Sequence, residues 1–228
     1  MDYYAYAKTE GFELDKVRRT DNIGMDCHHY HDTYEVMVME EGTRSVIFNN
    51  VVENVAKGDI IVFTPYVLHL TRPYEETVYC RYCLNFSPDA LTGIMLPADA
   101  KKLLNGLSTG IIRASESNIG FVKAMLNNML ENGEVKTTLD EAMRAVRLAS
   151  FIELLTKLTG RGSQRKPPDI TCSERFMHIL NYVNSNYTKP ITLDAAAREA
   201  HLSKTHFCRM FKKETGMTFM EHLTDLRI

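Results

Sequence analysis

Residues 27–35 read CHHYHDTYE, which sets three histidines and a glutamate close together. On an extended strand, residues two apart share a face, so His29 and His31 project together; Glu35 keeps their parity if the strand stays regular. His69, from a neighbouring strand, would complete a set of three imidazoles and one carboxylate. That donor set suits Fe, Mn, Ni or Zn. The same groups also serve as polar contacts for a small molecule, or as satisfied structural side chains. Cys80 and Cys83 form a C-x-x-C, but residues three apart on a strand point to opposite faces. Reduced structural thiols suit them better than a redox or zinc role. No P-loop, G-x-G-x-x-G or G-x-S-x-G is present.

A second group of capable residues lies in KTHFCRMFKK, residues 204–213. As a helix that buries Phe207, Met210 and Phe211, this stretch leaves Lys204, Thr205, Cys208, Arg209, Lys212 and Lys213 outside. Thr205, Cys208 and Arg209 share one face. Arg209 can hold a guanine through two hydrogen bonds. Thr205 and Cys208 are small enough to touch a thymine methyl or a phosphate. Lys204, Lys212 and Lys213 suit backbone phosphates, which give affinity without sequence information. A solvated basic face on a small helical bundle would look the same.

The elements that hold these groups can be read from periodicity. Residues ~12–86 have strand character: RSVIFNNVVENV carries two β-rich runs around Asn49-Asn50, and VYCRYCLNF alternates Val78, Cys80, Tyr82, Leu84 and Phe86 against Tyr79, Arg81, Cys83 and Asn85. Short strands with regular turns predict a small sandwich or barrel. Residues ~98–160 turn helical. One stripe is Phe121, Val122, Met125, Leu126, Met129 and Leu130, ended by Gly133. A second helix starts at Thr138 with Glu141 as its capping box, and its stripe is Leu139, Met143, Val146, Ile152, Leu155 and Leu158. These helices carry more apolar surface than one packed face needs, so at least one is expected to pair two subunits.

GRGSQRKPPD, residues 160–169, reads as an exposed linker. Beyond it everything is helical: Phe176, Ile179, Leu180 and Val183 form a stripe. Thr192 caps a short helix with Leu193, Ala196 and Ala197 inward. Ser203 caps the basic helix, and Thr218 with Glu221 caps a last one bearing Phe219, Leu223 and Leu226. A short helix, a tight turn and a second capped helix have the dimensions of a helix-turn-helix. Net charge is -2, but residues 173–228 carry eight Lys/Arg against six Asp/Glu, so this part is +2 and the remainder -4. No apolar run approaches a membrane span, and the polar start lacks signal-peptide order, so a cytoplasmic protein is expected.

ITLDAAAREAHLSKTHFCRMFKKETGMTFMEHLTDLRI resembles the first half of the DNA-binding domain of the AraC/XylS family of bacterial transcription regulators. The resemblance rests on Leu193, Ala196, Ala197, Ala200, Leu202-Ser203, Phe207-x-x-Met210-Phe211-Lys212, Glu214-x-Gly216 and Leu226-Arg227-Ile228. It implies base contacts at Thr205, Cys208 and Arg209, although bulkier residues are usual at the first two. It also implies a second helix-turn-helix, and the chain stops at LRI, where the joining helix would begin. The expectation is a shortened product that binds DNA weakly and with strong salt dependence.

Regulators of this family often carry a cupin-like sensor barrel, and the first region resembles one. His29-x-His31-x3-Glu35-x6-Gly42 follows the first cupin motif, with Gly24 one residue too near; Gly58 and His69 keep the second, where Thr64, Tyr66 and Pro73 replace its proline, glycine and asparagine. The resemblance favours His29, His31, Glu35 and His69 as ligand-contacting groups, with no resident metal and no cofactor. Arg44 and Arg81 are further candidates for an anionic or sugar ligand.

The fold class expected is α+β: an N-terminal cupin-like β-barrel, dimerisation helices, then an all-α helix-turn-helix unit. The boundaries are 1–160 for effector binding and dimerisation, 161–172 for the linker and 173–228 for DNA reading. The function expected is that of a non-enzymatic regulator binding double-stranded DNA through Ser203, Lys204, Thr205, Cys208, Arg209, Lys212 and Lys213. It would sense a small molecule, sugars being one effector class the resemblance implies, and act as a homodimer. The alternative is a metal-dependent cupin enzyme, a dioxygenase or isomerase, using His29, His31, Glu35 and His69. The effector, the operator and the sign of regulation are not encoded legibly.

Overall fold

The computed structural model describes residues 3–20, 29–48, 51–74, 78–133, 135–159, 179, 182–183, 186–187, 189–215 and 218–225. They belong to two compact units, Met1–Pro168 and Asp169–Ile228. The Asn49-Asn50 turn, the expected linker, Phe176, Leu180 and Leu226 lie outside the described residues.

The first unit contains strands β1 (Tyr3–Thr9), β2 (Phe12–Arg19), β3 (Tyr34–Glu41), β4 (Thr43–Phe48), β5 (Val51–Ala56), β6 (Asp59–Phe63), β7 (His69–Pro73), β8 (Tyr79–Phe86) and β9 (Gly110–Arg113). Their ladders form a six-stranded sheet in the order β1-β2-β8-β3-β6-β9 and a three-stranded sheet in the order β5-β4-β7. All of the pairings between these strands are antiparallel. Helices α1 (Pro97–Leu104), α2 (Glu116–Glu131) and α3 (Thr138–Thr159) follow, with β9 between the first two.

Strand β3 shows how the sequence builds the layers. Its VMVM run is buried throughout because both faces are covered. Val36 and Val38 join Tyr82, Leu84 and Phe86 of β8 in a core shared with Val122, Leu126, Phe151, Ile152 and Leu155 of α2 and α3. Met37 and Met39 face the other way, into a second core with Val46, Phe48 and Val55 of the small sheet. Strand parity sorts alternate residues between a helix-facing and a sheet-facing core.

The α3 stripe read from the sequence divides in two. Ile152, Leu155 and Leu158 are buried, whereas Leu139, Met143 and Val146 are 68%, 43% and 44% exposed. Helical period marks apolar faces but does not say which face meets the core. Phe121 of α2 is likewise 66% exposed. The α3 cap sits one residue earlier than Thr138. Thr137 Oγ1 accepts from the Asp140 amide at 3.2 Å, and Asp140 Oδ2 accepts from the Thr137 amide at 2.9 Å. Aspartate closes the reciprocal pair here where the sequence pattern pointed to Glu141.

In the second unit, Ile179 and Val183 are fully buried. Helices α4 (Leu193–Glu199), α5 (Lys204–Thr215) and α6 (Phe219–Asp225) follow. No helix among the described residues is long and apolar enough to cross a membrane.

Candidate functional site

The backbone brings the four histidine and glutamate candidates together. His29 and His69 form an isolated antiparallel bridge, each amide donating to the other's carbonyl at 3.0 and 2.9 Å. Their ring centroids are 4.2 Å apart. His31, two residues on, has its ring 5.1 Å from that of His69. Its carbonyl accepts from the Tyr66 amide at 2.7 Å. Tyr66 has φ 66°, a left-handed conformation that costs a non-glycine residue about 1–2 kcal/mol. This is the position where the cupin pattern has glycine, so the tyrosine keeps glycine's backbone shape. Glu35 enters from β3, and one donor atom from each of the four residues lies within 4.8 Å of the others.

Glu35 and His69 are buried, and Phe63 stacks on the His69 ring with centroids 3.9 Å apart. His69 Nδ1 lies 2.8 Å from the Val67 carbonyl, and His31 Nδ1 lies 2.9 Å from the Thr33 carbonyl. A carbonyl only accepts, so each Nδ1 carries a proton and each Nε2 turns inward. His31 Nε2 meets Glu35 Oε2 at 2.9 Å, while His69 Nε2 stands off at 3.6 Å. Burial opposes a charged His31, but the Glu35 carboxylate outweighs it and raises the imidazole pKa. Burial also opposes ionised Glu35, yet its carboxyl is held well below the usual range by its histidine neighbours. At 3.6 Å the His69 contact is too long for a hydrogen bond. His69 Nε2 itself is buried without a hydrogen-bond partner, which costs about 1–3 kcal/mol.

The cluster borders a cavity of about 540 Å3 that is also lined by Asp15, Arg81, Cys83 and Asn85. Sheet register places these residues: Asp15 is opposite Cys83, and Asn85 is opposite Glu35. Arg81 donates to Asp15 at 2.8 Å. Burial raises the Asp15 carboxyl pKa, with Arg81 offsetting part of the rise. Burial also pushes the Cys83 thiol well up, so it stays neutral. Of the two arginine candidates, Arg81 lines the cavity, whereas Arg44 packs over the Tyr79 ring, 4.4 Å from its centroid. Asp15 and Asn85 were not singled out from sequence. The alternation of Arg81, Cys83 and Asn85 on one face of β8 was the available signal, but the strand partners that turn that face into a cavity wall are long-range.

The second site is the turn between α4 and α5. Thr192 caps α4, its side chain accepting from the Ala195 amide at 3.1 Å. The helix ends with the Leu202 amide on the Ala197 carbonyl and the His201 amide on the Arg198 carbonyl. His201 has φ 53°. This is a Schellman ending with histidine at the usual glycine position. Ser203 then caps α5, accepting from the His206 amide at 3.3 Å. Phe207 and Phe211 are buried, and Met210 is half-buried. Ser203, Lys204, Thr205, Cys208, Arg209 and Lys212 are exposed. The Lys213 side chain lies outside the described residues. Lys204 also pairs with Asp194 at 2.7 Å.

Comparison with known proteins agrees with this two-part layout. Residues 18–180 match the AraC-like ligand binding domain, and residues 183–224 match bacterial regulatory helix-turn-helix proteins of the AraC family. The HTH-type transcriptional activator RhaS of Yersinia pestis (strain Pestoides F) is 25% identical over 205 residues, covering 88% of this chain and 71% of its own. The uncharacterized HTH-type transcriptional regulator YdeC of Bacillus subtilis (strain 168) is 23% identical over 206 residues, covering 88% and 69%. Among solved structures, ToxT from Vibrio cholerae O395 superposes with a TM-score of 0.57 at 14% identity, over 96% of this chain and 80% of that one. An unsaturated fatty acid-bound ToxT gives 0.58 at 11% identity, over 97% and 79%. These structural likenesses speak to the fold. Because the ligand-binding match alone spans more than half of its length and the helix-turn-helix match follows it, the chain belongs to the AraC family and is a transcriptional regulator with a ligand-binding domain and a helix-turn-helix DNA-binding domain.

Proposed function

We propose that the cavity beside His29, His31, Glu35 and His69 receives a small-molecule effector, and that its occupancy alters how a cytoplasmic dimer engages double-stranded DNA through α5. In this reading residues 1–160 serve sensing and pairing, 161–172 link, and 173–228 serve DNA binding. The observation that carries the reading is the presence in one chain of a cavity lined by charged side chains, Asp15, Glu35 and Arg81 among them, and a capped helix with exposed cations. A cavity lined by several charged groups favours a polar effector over an apolar one. Coupling would be a shift between populations of the dimer, with effector binding one population better.

On α5, Ser203, Lys204, Lys212 and Lys213 are assigned to phosphates, and Thr205, Cys208 and Arg209 to base edges. A duplex selected by the wild-type chain from a randomised pool serves as the probe. Arg209→Ala is expected to weaken binding to that duplex by about 1–3 kcal/mol and to relax preference at one position. Lys212→Ala should weaken all duplexes alike and lower the salt slope by about 1. Equal affinity of the Arg209 variant for every duplex position, at wild-type strength, would remove α5 as the reading helix.

Leu139, Met143 and Val146 recur at i, i+4 and i+7 on the exposed side of α3 and are proposed as the homodimer seam. Replacing Leu139 and Val146 together by Glu is expected to weaken self-association roughly tenfold or more, since each buried apolar side chain contributes on the order of 1 kcal/mol. Sedimentation equilibrium reads it. An unchanged dimer would move the seam elsewhere, and a monomeric wild type would end the dimer reading.

A further inference from the structure

We propose that Arg144 ties the rim of the effector cavity to the helix that pairs two subunits, so that filling the cavity and forming the dimer are linked. This rests on the cavity and seam readings given above. Thr9, Gly11 and Phe12 line the cavity and belong to the turn between β1 and β2, where Thr9 lies opposite Phe12. β1 pairs with β2 alone among the described strands, so the rim is braced chiefly by what its turn touches. On one side the Ser87 amide donates to the Gly11 carbonyl at 2.8 Å. Two further contacts come from the α2–α3 pair. Gly133, just past the end of α2, lies so close to β1 that an added Cβ would stand 2.3 Å from Ala7 Cβ. Arg144 of α3 reaches the turn itself. Its Nη1 donates to Thr9 Oγ1, and its guanidinium stands 5.3 Å from the centroid of the Phe12 ring.

Packing alone does not account for this arrangement. An apolar side chain would cover Phe12 as well as a guanidinium does. Burial lowers the Arg144 pKa, with Glu141 offsetting part of the fall, so keeping a charged donor there carries a desolvation cost. What the donor adds is a directed bond to a residue of the cavity wall. On the same helix Met143 and Val146 flank Arg144 and are 43% and 44% exposed; both belong to the seam. Backbone bonds between successive turns fix the spacing of neighbouring helical residues, so Arg144 cannot shift without carrying the seam residues with it. In the dimer α3 would be held on its outer side, and the Thr9 bond would pass that order to the rim. An effector that fixes Thr9 or Phe12 would order α3 in return. Linkage makes the two effects equal in size and sign.

Hydrogen exchange followed by mass spectrometry on the whole chain tests this without knowing the effector. Labelling is done above and below the dissociation constant of the dimer, which sedimentation equilibrium supplies. In the wild type, peptides covering 7–14 are expected to exchange at least about fivefold more slowly in the dimer, the low end of typical couplings between sites. Peptides from β4 and β5 serve as the reference. Arg144→Met keeps a long stem over Phe12 and loses the donor. It should still dimerise, with exchange of 7–14 no longer dependent on association. Thr9→Val removes the acceptor and should give the same result, so the test stands if the Arg144 variant does not fold. Arg144→Lys, which keeps a donor, should restore part of the protection. A wild-type dimer whose 7–14 peptides exchange as in the monomer overturns the proposal and leaves the cavity and the seam untouched. So does protection that persists in both Arg144→Met and Thr9→Val. A wild type monomeric at every concentration removes the seam reading, and this proposal with it.

Discussion

Phe211→Ala is expected to unfold the helix-turn-helix unit and abolish binding to the selected duplex. Phe207, Phe211 and Phe219 are almost fully buried. Their rings meet at 5.6 Å for Phe207–Phe211, 5.4 Å for Phe207–Phe219 and 5.6 Å for Phe211–Phe219. Two of these contacts are edge-on, an arrangement aromatic rings favour. These three side chains from two helices fix α5 against α6, and His222 adds a fourth ring 5.4 Å from Phe211. Removing a buried phenyl ring costs about 3–5 kcal/mol. A unit of this size has a total stability of roughly 3–9 kcal/mol at 0.05–0.15 kcal/mol per residue. The loss is therefore comparable to everything that holds α5 in place. The first unit has its own cores, so its amides should keep their protection. Hydrogen exchange followed by mass spectrometry separates the two: peptides from 193–225 should exchange freely while those from β3, β6 and β8 stay slow. Wild-type protection of α5, or duplex affinity within about twofold of wild type, is incompatible with a 3–5 kcal/mol core contribution.

What could be read from sequence follows the range of the interactions involved. The DNA-reading unit was legible because its signals are local. Thr192, Ser203, and Thr218 with Glu221 sit next to the helices they cap, and those bonds form, including Thr218 amide to Glu221 at 2.6 Å. The exception is His201, whose left-handed φ belongs to a residue type that does not announce a helix end. In the first unit, the four-residue cluster was legible from its cupin-like spacing, although strand parity is not what aligns it: β3 begins only at Tyr34, the chain bends at Asp32-Thr33, and His29 is held by an isolated bridge to His69. The rest of the cavity wall was not. Asp15 reaches it because β2 pairs with β8, and those strands are far apart in the chain. Nothing local distinguishes Asp15 from any other strand aspartate. The α3 helix shows the third case. Its period was clear, but two apolar stripes share it, and only the packed structure separates Ile152 and Leu155 from Leu139 and Val146. Cys80 and Cys83 remain free thiols among the described residues. Cys80 donates to Glu40 at 3.3 Å, and Cys83 lines the cavity, so the C-x-x-C spacing places the two thiols in different surroundings.

Gly42→Ala is expected to destabilise the first unit by about 2–5 kcal/mol, and Gly58→Ala by only about 1–2 kcal/mol. Both glycines have left-handed backbones, with φ +78° and +93°, so an added Cβ brings a similar conformational cost at each. The space differs. A Cβ at Gly58 meets nothing within 4 Å, whereas at Gly42 it would lie 2.2 Å from the Val78 carbonyl oxygen and 2.9 Å from Tyr79 Cα. Those neighbours are backbone at the start of β8 and cannot rotate away. Gly42 is the one residue between β3 and β4, where the chain leaves the six-stranded sheet for the three-stranded one. The sharp change of sheet brings it against β8. Relieving the overlap would displace the strand that also carries Arg81, Cys83 and Asn85 into the cavity. The larger variant effect should therefore appear as a lower urea midpoint at unchanged slope. Equal midpoints for the two alanine variants would show that backbone conformation alone, and not the contact with β8, demands glycine at position 42.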